Sequence, residues 1–114
     1  VLLTLVELPE FRRQAARLFT DGERQDLITY LAGQPKAGDL IRGTGGIRKL
    51  RWARAGMGKS GGARVIYYYH SDLIPLFLLT AYGKNEAANL PQAERNELAV
   101  LVDILADYAH GALK

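Results

Sequence analysis

Arg64-Val-Ile-Tyr-Tyr-Tyr-His70, followed by Ser71-Asp72 and then Ile74-Pro-Leu-Phe-Leu-Leu-Thr-Ala81, is the stretch that decides the fold. Its first part is rich in β-branched and aromatic residues, which predicts a strand. Ser71-Asp72 supplies a turn. The second part is apolar on both faces, which predicts a strand in the interior of a sheet. Upstream, 54–62 (Arg-Ala-Gly-Met-Gly-Lys-Ser-Gly-Gly) reads as a basic loop. Before it, Ile47 to Ala53 alternates: Leu50 and Trp52 point one way, Lys49 and Arg51 the other. Residues 34–46 form a Gly-rich connection.

Further out, the pattern turns helical. Residues 2–7 read as a short opening strand, and Pro9 fits the first turn of a helix, where its missing N–H costs nothing. Phe11, Ala15, Leu18 and Phe19 fall on one helical face. Thr20-Asp21-Gly22 breaks this helix, and Thr20 with Glu23 predicts a capping box for the next. Leu27, Ile28 and Leu31 give the second helix its buried face, and Gly33 and Pro35 end it. The two helices are expected to form a hairpin. Residues 91–112 read as an amphipathic helix with Leu98, Leu101, Val102, Leu105 and Ala109 inward. The order β-α-α-β-β-β-α predicts an α+β fold: a small antiparallel sheet, an N-terminal helix hairpin and a C-terminal helix. A length of 114 residues fits a single domain, 1–114.

Charge narrows the function. From Leu40 to Ser71 there is no acidic residue, yet seven Lys/Arg: Arg42, Arg48, Lys49, Arg51, Arg54, Lys59 and Arg64. The net charge of +3, from 15 basic and 12 acidic residues, hides this asymmetry. A polyanion is the natural complement of such a field. No run of about 18 apolar residues exists, so no membrane helix is expected. Residues 1–8 are apolar without a basic segment before them or a cleavage site after, so a secretory signal is not expected; the start at Val1 points to a trimmed or incomplete beginning. The absence of Cys excludes disulfides and thiolate metal sites and suits a cytoplasmic protein; no metal or cofactor is expected.

Ala53-Arg-Ala-Gly-Met-Gly-Lys59-Ser60 satisfies a relaxed P-loop pattern. A phosphate-binding P-loop must open a helix. Here Gly61-Gly62 and a strand follow, and nucleotide hydrolysis is set aside. The strand Ile47–Arg54 carries more weight. A row of Lys and Arg is ordinarily a solvated sheet face. Yet Lys49 and Arg51 share a face, and antiparallel pairing is expected to bring Arg64 beside them. Converging like charges repel, which is costly without an anion, and this favours a binding face. In Tyr82-Gly83-Lys84-Asn85-Glu86, Lys84 is either a turn residue or a further cation at the end of the central strand; order alone does not separate these. Tyr68 shares the face of Arg64 and is a candidate to stack on a base, whereas Tyr67 and Tyr69 face the core. Nothing in the sequence places His70 beside His110.

Gly46-Ile-Arg-Lys-Leu-Arg-Trp-Ala-Arg54, Gly58-Lys-Ser-Gly-Gly-Ala-Arg-Val-Ile-Tyr-Tyr-Tyr69 and Leu79-Thr-Ala-Tyr-Gly-Lys-Asn-Glu86 together resemble the RelE/ParE superfamily of bacterial toxins, most of all its HigB-like branch. The resemblance covers nearly the whole chain. It implies a compact RelE-like fold and a ribosome-dependent endoribonuclease that cuts messenger RNA. It also implies neutralisation by a cognate HigA-like helix-turn-helix antitoxin. By the same resemblance Lys49 and Arg51 are the paired basic residues of a strand, Arg64 opens the next strand and Lys84 follows the central one. These four are the expected catalytic residues. Arg48, Arg54, Lys59, Tyr68 and Tyr82 are the expected RNA contacts. Relatives often carry a Tyr or a further basic residue soon after the Gly-Lys motif. Here Glu86-Ala-Ala-Asn-Leu-Pro91 has neither, and Tyr68 or Tyr82 is left as the stacking candidate.

The chemistry suits these residue types. Attack of a 2′-OH on the neighbouring phosphate needs in-line geometry, charge stabilisation and proton transfer. Arg and Lys supply the second, and a lysine crowded by cations is suited to the third. Two other outcomes stay open on sequence grounds: a ParE-like toxin acting on DNA gyrase, and an RNA-binding module without turnover.

Overall fold

The structure, a computed structural model, describes residues 3–54, 62–84 and 92–112. Eight elements follow in order: β1 (Leu5–Glu7), α1 (Pro9–Leu18), α2 (Asp21–Gly33), β2 (Asp39–Leu40), β3 (Ile47–Arg54), β4 (Gly62–Tyr68), β5 (Leu76–Gly83) and α3 (Gln92–Ala112). The five strands form one sheet in the order β1-β5-β4-β3-β2.

Local chemistry sets the helix boundaries. Pro9 stands at the start of α1. The Thr20 hydroxyl accepts from the Glu23 N–H (3.1 Å), and the Glu23 carboxylate accepts from the Thr20 N–H (2.8 Å), which completes the capping box of α2. Arg24 donates to both carboxylate oxygens of Glu7 (2.7 and 2.8 Å) and ties α2 to β1. That contact raises the Arg24 pKa still further.

The expected α+β order holds, with two differences. The sheet is mixed rather than antiparallel throughout, because β1 runs parallel to β5, with Leu5 opposite Leu76 and Glu7 opposite Leu78. The α1–α2 hairpin lies between these strands in the chain and makes such a return possible. The Gly-rich connection also contains a strand, the two-residue β2, antiparallel to β3. A tight turn closes this hairpin. The Thr44 hydroxyl donates to the Ile41 carbonyl (2.6 Å), and Gly43, Gly45 and Gly46 take the positive φ that other residues avoid.

Side-chain alternation divides the core between the two sheet faces. On one face, Phe11, Ala15 and Leu18 of α1 and Leu27 and Leu31 of α2 pack on Leu50, Val65, Tyr67, Leu76 and Leu78. Trp52 borders this cluster; its indole N–H donates to the Glu23 carbonyl (3.2 Å). On the other face, Ile47, Ile66, Tyr68, Leu79 and Tyr82 pack with Val102, bordered by Leu98, Leu101 and Leu105 of α3. A register shift at Ile66/Tyr67 makes Leu79 an extra residue in β5.

Candidate functional site

The pairing register assembles the basic residues. Arg51 of β3 lies directly opposite Arg64 of β4, and Arg64 lies opposite Tyr82 of β5. The next row holds Lys49, Ile66 and Thr80. Directly opposed residues of an antiparallel pair project to the same face with Cβ atoms about 4.5–5.5 Å apart. Lys49, Arg51 and Arg64 therefore share the α3 side of the sheet. Arg51 is exposed and Lys49 half-buried. Arg64 is only 9 % exposed, and its guanidinium donates to the Ala63 carbonyl (3.2 Å). Lys84 follows β5 directly. It is exposed, and its N–H donates to the Gly62 carbonyl (3.1 Å) at the start of β4, which brings it to the same end of the sheet as Arg64.

A cross-strand Arg–Arg pair is an arrangement that folding alone disfavours. It concentrates positive charge on this face, with the Arg51 side chain exposed to solvent. Tyr82, 8 % exposed, closes the Arg51–Arg64 row.

Other expected site residues lie elsewhere. Arg48 pairs with Tyr67 and so belongs to the opposite face of β3. Its guanidinium donates to the carbonyls of Gly38 (2.8 Å) and Lys36 (3.2 Å), so it pins the segment before β2, away from the row of Lys49 and Arg51. Alternation with Leu50 and Trp52 is the sequence signal that separates it from Lys49 and Arg51. Tyr68 is on the expected face but only 2 % exposed, beneath α3, with its ring beside His70 (6.5 Å between centroids). Burial raises its phenol pKa, and in this conformation no base reaches its ring. Arg54 ends β3. Lys59, the rest of 55–61 and residues 85–91 lie outside the described residues. Gly62 opens a strand, so a strand and not a helix follows the relaxed P-loop pattern.

Two features had no signal in the sequence. His70 and His110 do meet, edge to face, with centroids 6.2 Å apart. They sit past the far end of β4, six residues and about 20 Å along the strand from Arg64. The second feature is Asp39, which β2 places directly opposite Lys49. Among the described residues no cluster of His, Asp or Glu is arranged to hold a metal ion, and no helix is long and apolar enough to cross a membrane.

Known proteins match this architecture. A solved structure of a double Arg→Ala variant of the Escherichia coli toxin RelE, in the free state, superposes with a TM-score of 0.58 at 17 % identity, covering 88 % of this chain and 96 % of that one. The likeness is one of fold: among the described residues, three helices around a five-stranded mixed sheet. Residues 12–114 match the family described as the RelE toxin of the RelE / RelB toxin-antitoxin system. With that match spanning β2 to β5, the cationic row and α3, the chain belongs to the RelE family of toxins, whose systems pair each toxin with an antitoxin.

Proposed function

We propose that this toxin is a ribosome-dependent endoribonuclease that cuts messenger RNA and so arrests translation in the cytoplasm. The observation that carries the proposal is the in-register convergence of Lys49, Arg51 and Arg64 on one sheet face, with Lys84 at the same end. In the reaction a 2′-OH loses its proton and attacks the adjacent phosphorus. The P–O5′ bond breaks, leaving a 2′,3′-cyclic phosphate, and the departing 5′ oxygen takes up a proton. Arg51 and Arg64 stabilise the extra negative charge of the phosphorane, where fixed donors act most strongly. Lys49 and Lys84 bind the phosphate and supply the proton-transfer groups. Arg54, Lys59 and Tyr82 extend the RNA contact.

The His70–His110 pair is too far along the sheet to act on the same phosphate. A site of cations alone holds charge well but orients a flexible chain poorly. That deficit is what a ribosome holding the message in place corrects. A HigB-like toxin of this kind is kept silent by a HigA-like helix-turn-helix antitoxin. The exposed Arg12, Arg13 and Arg17 of α1 offer that partner a surface away from the catalytic face.

The test is expression in a cell-free translation system, with primer extension on the message. Cuts that appear only with translating ribosomes support the proposal. Equal cutting of naked RNA removes the ribosome dependence. Intact message with arrested supercoiling points to gyrase, and bound but uncut RNA to a non-catalytic module.

A further inference from the structure

We propose that Asp39 is a positioning residue for Lys49, setting the orientation of the ammonium group in the catalytic row. The inference rests on the endoribonuclease reading above.

The pairing register supplies the geometry. Asp39 opposes Lys49, Lys49 opposes Ile66 and Ile66 opposes Thr80, so one row crosses four strands and Asp39 ends it on the catalytic face. The five strands carry only two acids, Glu7 and Asp39. Glu7 is taken by the two-pronged contact with Arg24. Asp39 is thus the one strand acid in register with the cationic row.

The anchoring of β2 is out of proportion to what it buries. Asp39 and Leu40 are both exposed, Leu40 by 62 %, so the strand adds little to the core. Yet it is held from three sides. The hydroxyl of Tyr67, itself fully buried, accepts from the Gly38 N–H (2.8 Å) and donates to the Pro35 carbonyl (2.8 Å). The Arg48 guanidinium holds the Gly38 and Lys36 carbonyls. Past the strand, the Ile41 N–H donates to the Ile47 carbonyl (2.8 Å). Gly38 is required for this approach, because a Cβ there meets the Tyr67 ring at 2.9 Å and the Lys49 carbonyl at 3.0 Å. What these anchors fix is the place of Asp39.

Lysine needs such a partner more than arginine does. Its ammonium is a point charge on a flexible four-carbon stem, without the preformed fork of a guanidinium. A carboxylate on the next strand narrows its orientations, and it also offsets repulsion within the row while no RNA is bound. The same negative charge opposes the phosphate of an arriving RNA. Asp39 therefore lowers affinity while raising the fraction of productive complexes.

These effects have opposite signs, which gives the test its discrimination. Cleavage of message on programmed ribosomes is measured for wild type, Asp39→Asn, Lys49→Ala and the double variant, with thermal unfolding of each as a check on folding. Asp39→Asn is expected to lower KM about two- to fivefold, the scale of one exposed charge interaction, and to lower kcat about ten- to a hundredfold, the scale of a misplaced group. In the Lys49→Ala background Asp39→Asn should leave kcat unchanged, since the group it positions is gone. Asp39→Glu should recover part of the loss. An active wild type with an equally active Asp39→Asn overturns the positioning role alone. So does a kcat loss of the same size in both backgrounds, which indicates a structural effect. A wild type that leaves message uncut on ribosomes overturns the endoribonuclease reading, and this inference with it.

Discussion

Replacing Arg51 by Gln is expected to make the free protein more stable and the toxin inactive. Arg51 faces Arg64 directly across the β3–β4 pair. Taking the two guanidinium charges as about 7 Å apart, their repulsion is about 0.6 kcal/mol at the dielectric of water and about 2.4 kcal/mol at an effective dielectric near 20. Arg51 is exposed, so the lower figure applies, and an opposed like-charge pair in a sheet falls in the same range of about 0.2–1 kcal/mol. Gln keeps most of the stem and removes only the charge. A gain of about 0.6 kcal/mol raises Tm by about 2–4 °C for a chain of this size. The gain should be largest in low salt and shrink as the Debye length falls from about 30 Å at 0.01 M to about 8 Å at 0.15 M. Cleavage on ribosomes should fall about 10²–10³-fold, the effect of losing one positioned donor to a charged intermediate. The assay is thermal unfolding at both salt concentrations, paired with primer extension. A variant clearly less stable than wild type at low salt refutes the repulsion argument; full cleavage by a folded variant refutes the catalytic one. Arg64 is less suited to this experiment, because its stem is buried and truncation removes packing as well as charge.

Three further outcomes follow from the packing. Leu50→Ala, which opens the core beneath β3, should cost about 2–5 kcal/mol, measured by urea unfolding. Gly38→Ala forces a Cβ against Tyr67 and the Lys49 carbonyl; it should destabilise by about 1–3 kcal/mol in the same assay and slow cleavage as β2 shifts. Alkali should unfold the protein, because burial holds the phenols of Tyr67 and Tyr68 above their usual pKa. The folded state keeps protons that the unfolded state loses, so this stability is complete below about pH 10 and falls by about 1.4 kcal/mol per pH unit per tyrosine above it. Tyr68→Phe should make the decline shallower, and an unchanged slope counts against the buried phenol as its cause.

What the sequence made legible was local. The capping box at Thr20 and Glu23, Pro9 at a helix start and the alternation of Leu50 and Trp52 with Lys49 and Arg51 are all read within a few residues, and each sits where that reading puts it. What it hid depends on partners far along the chain. The strand β2 has two residues and no periodicity, and one of its anchors is a tyrosine hydroxyl 29 positions from Gly38. The parallel place of β1 depends on β5, about 70 residues later. His70 and His110 meet only because α3 packs back across the sheet. Arg48 is a different case. Alternation assigns it to the face of Leu50, but its charge draws it into the basic patch on a count of cations alone. Face, not charge, separates the cations that assemble a site from the one that braces a loop. The row of Lys49, Arg51 and Arg64 was visible early because it breaks a local rule: like charges are kept off opposed strand positions unless something gains from their meeting. The structure adds the other half of that balance. The strand that periodicity could not reveal sets Asp39 opposite Lys49 in register, and the positioning role proposed for it would offset part of the charge conflict from an edge whose own burial gives it little reason to be held in place.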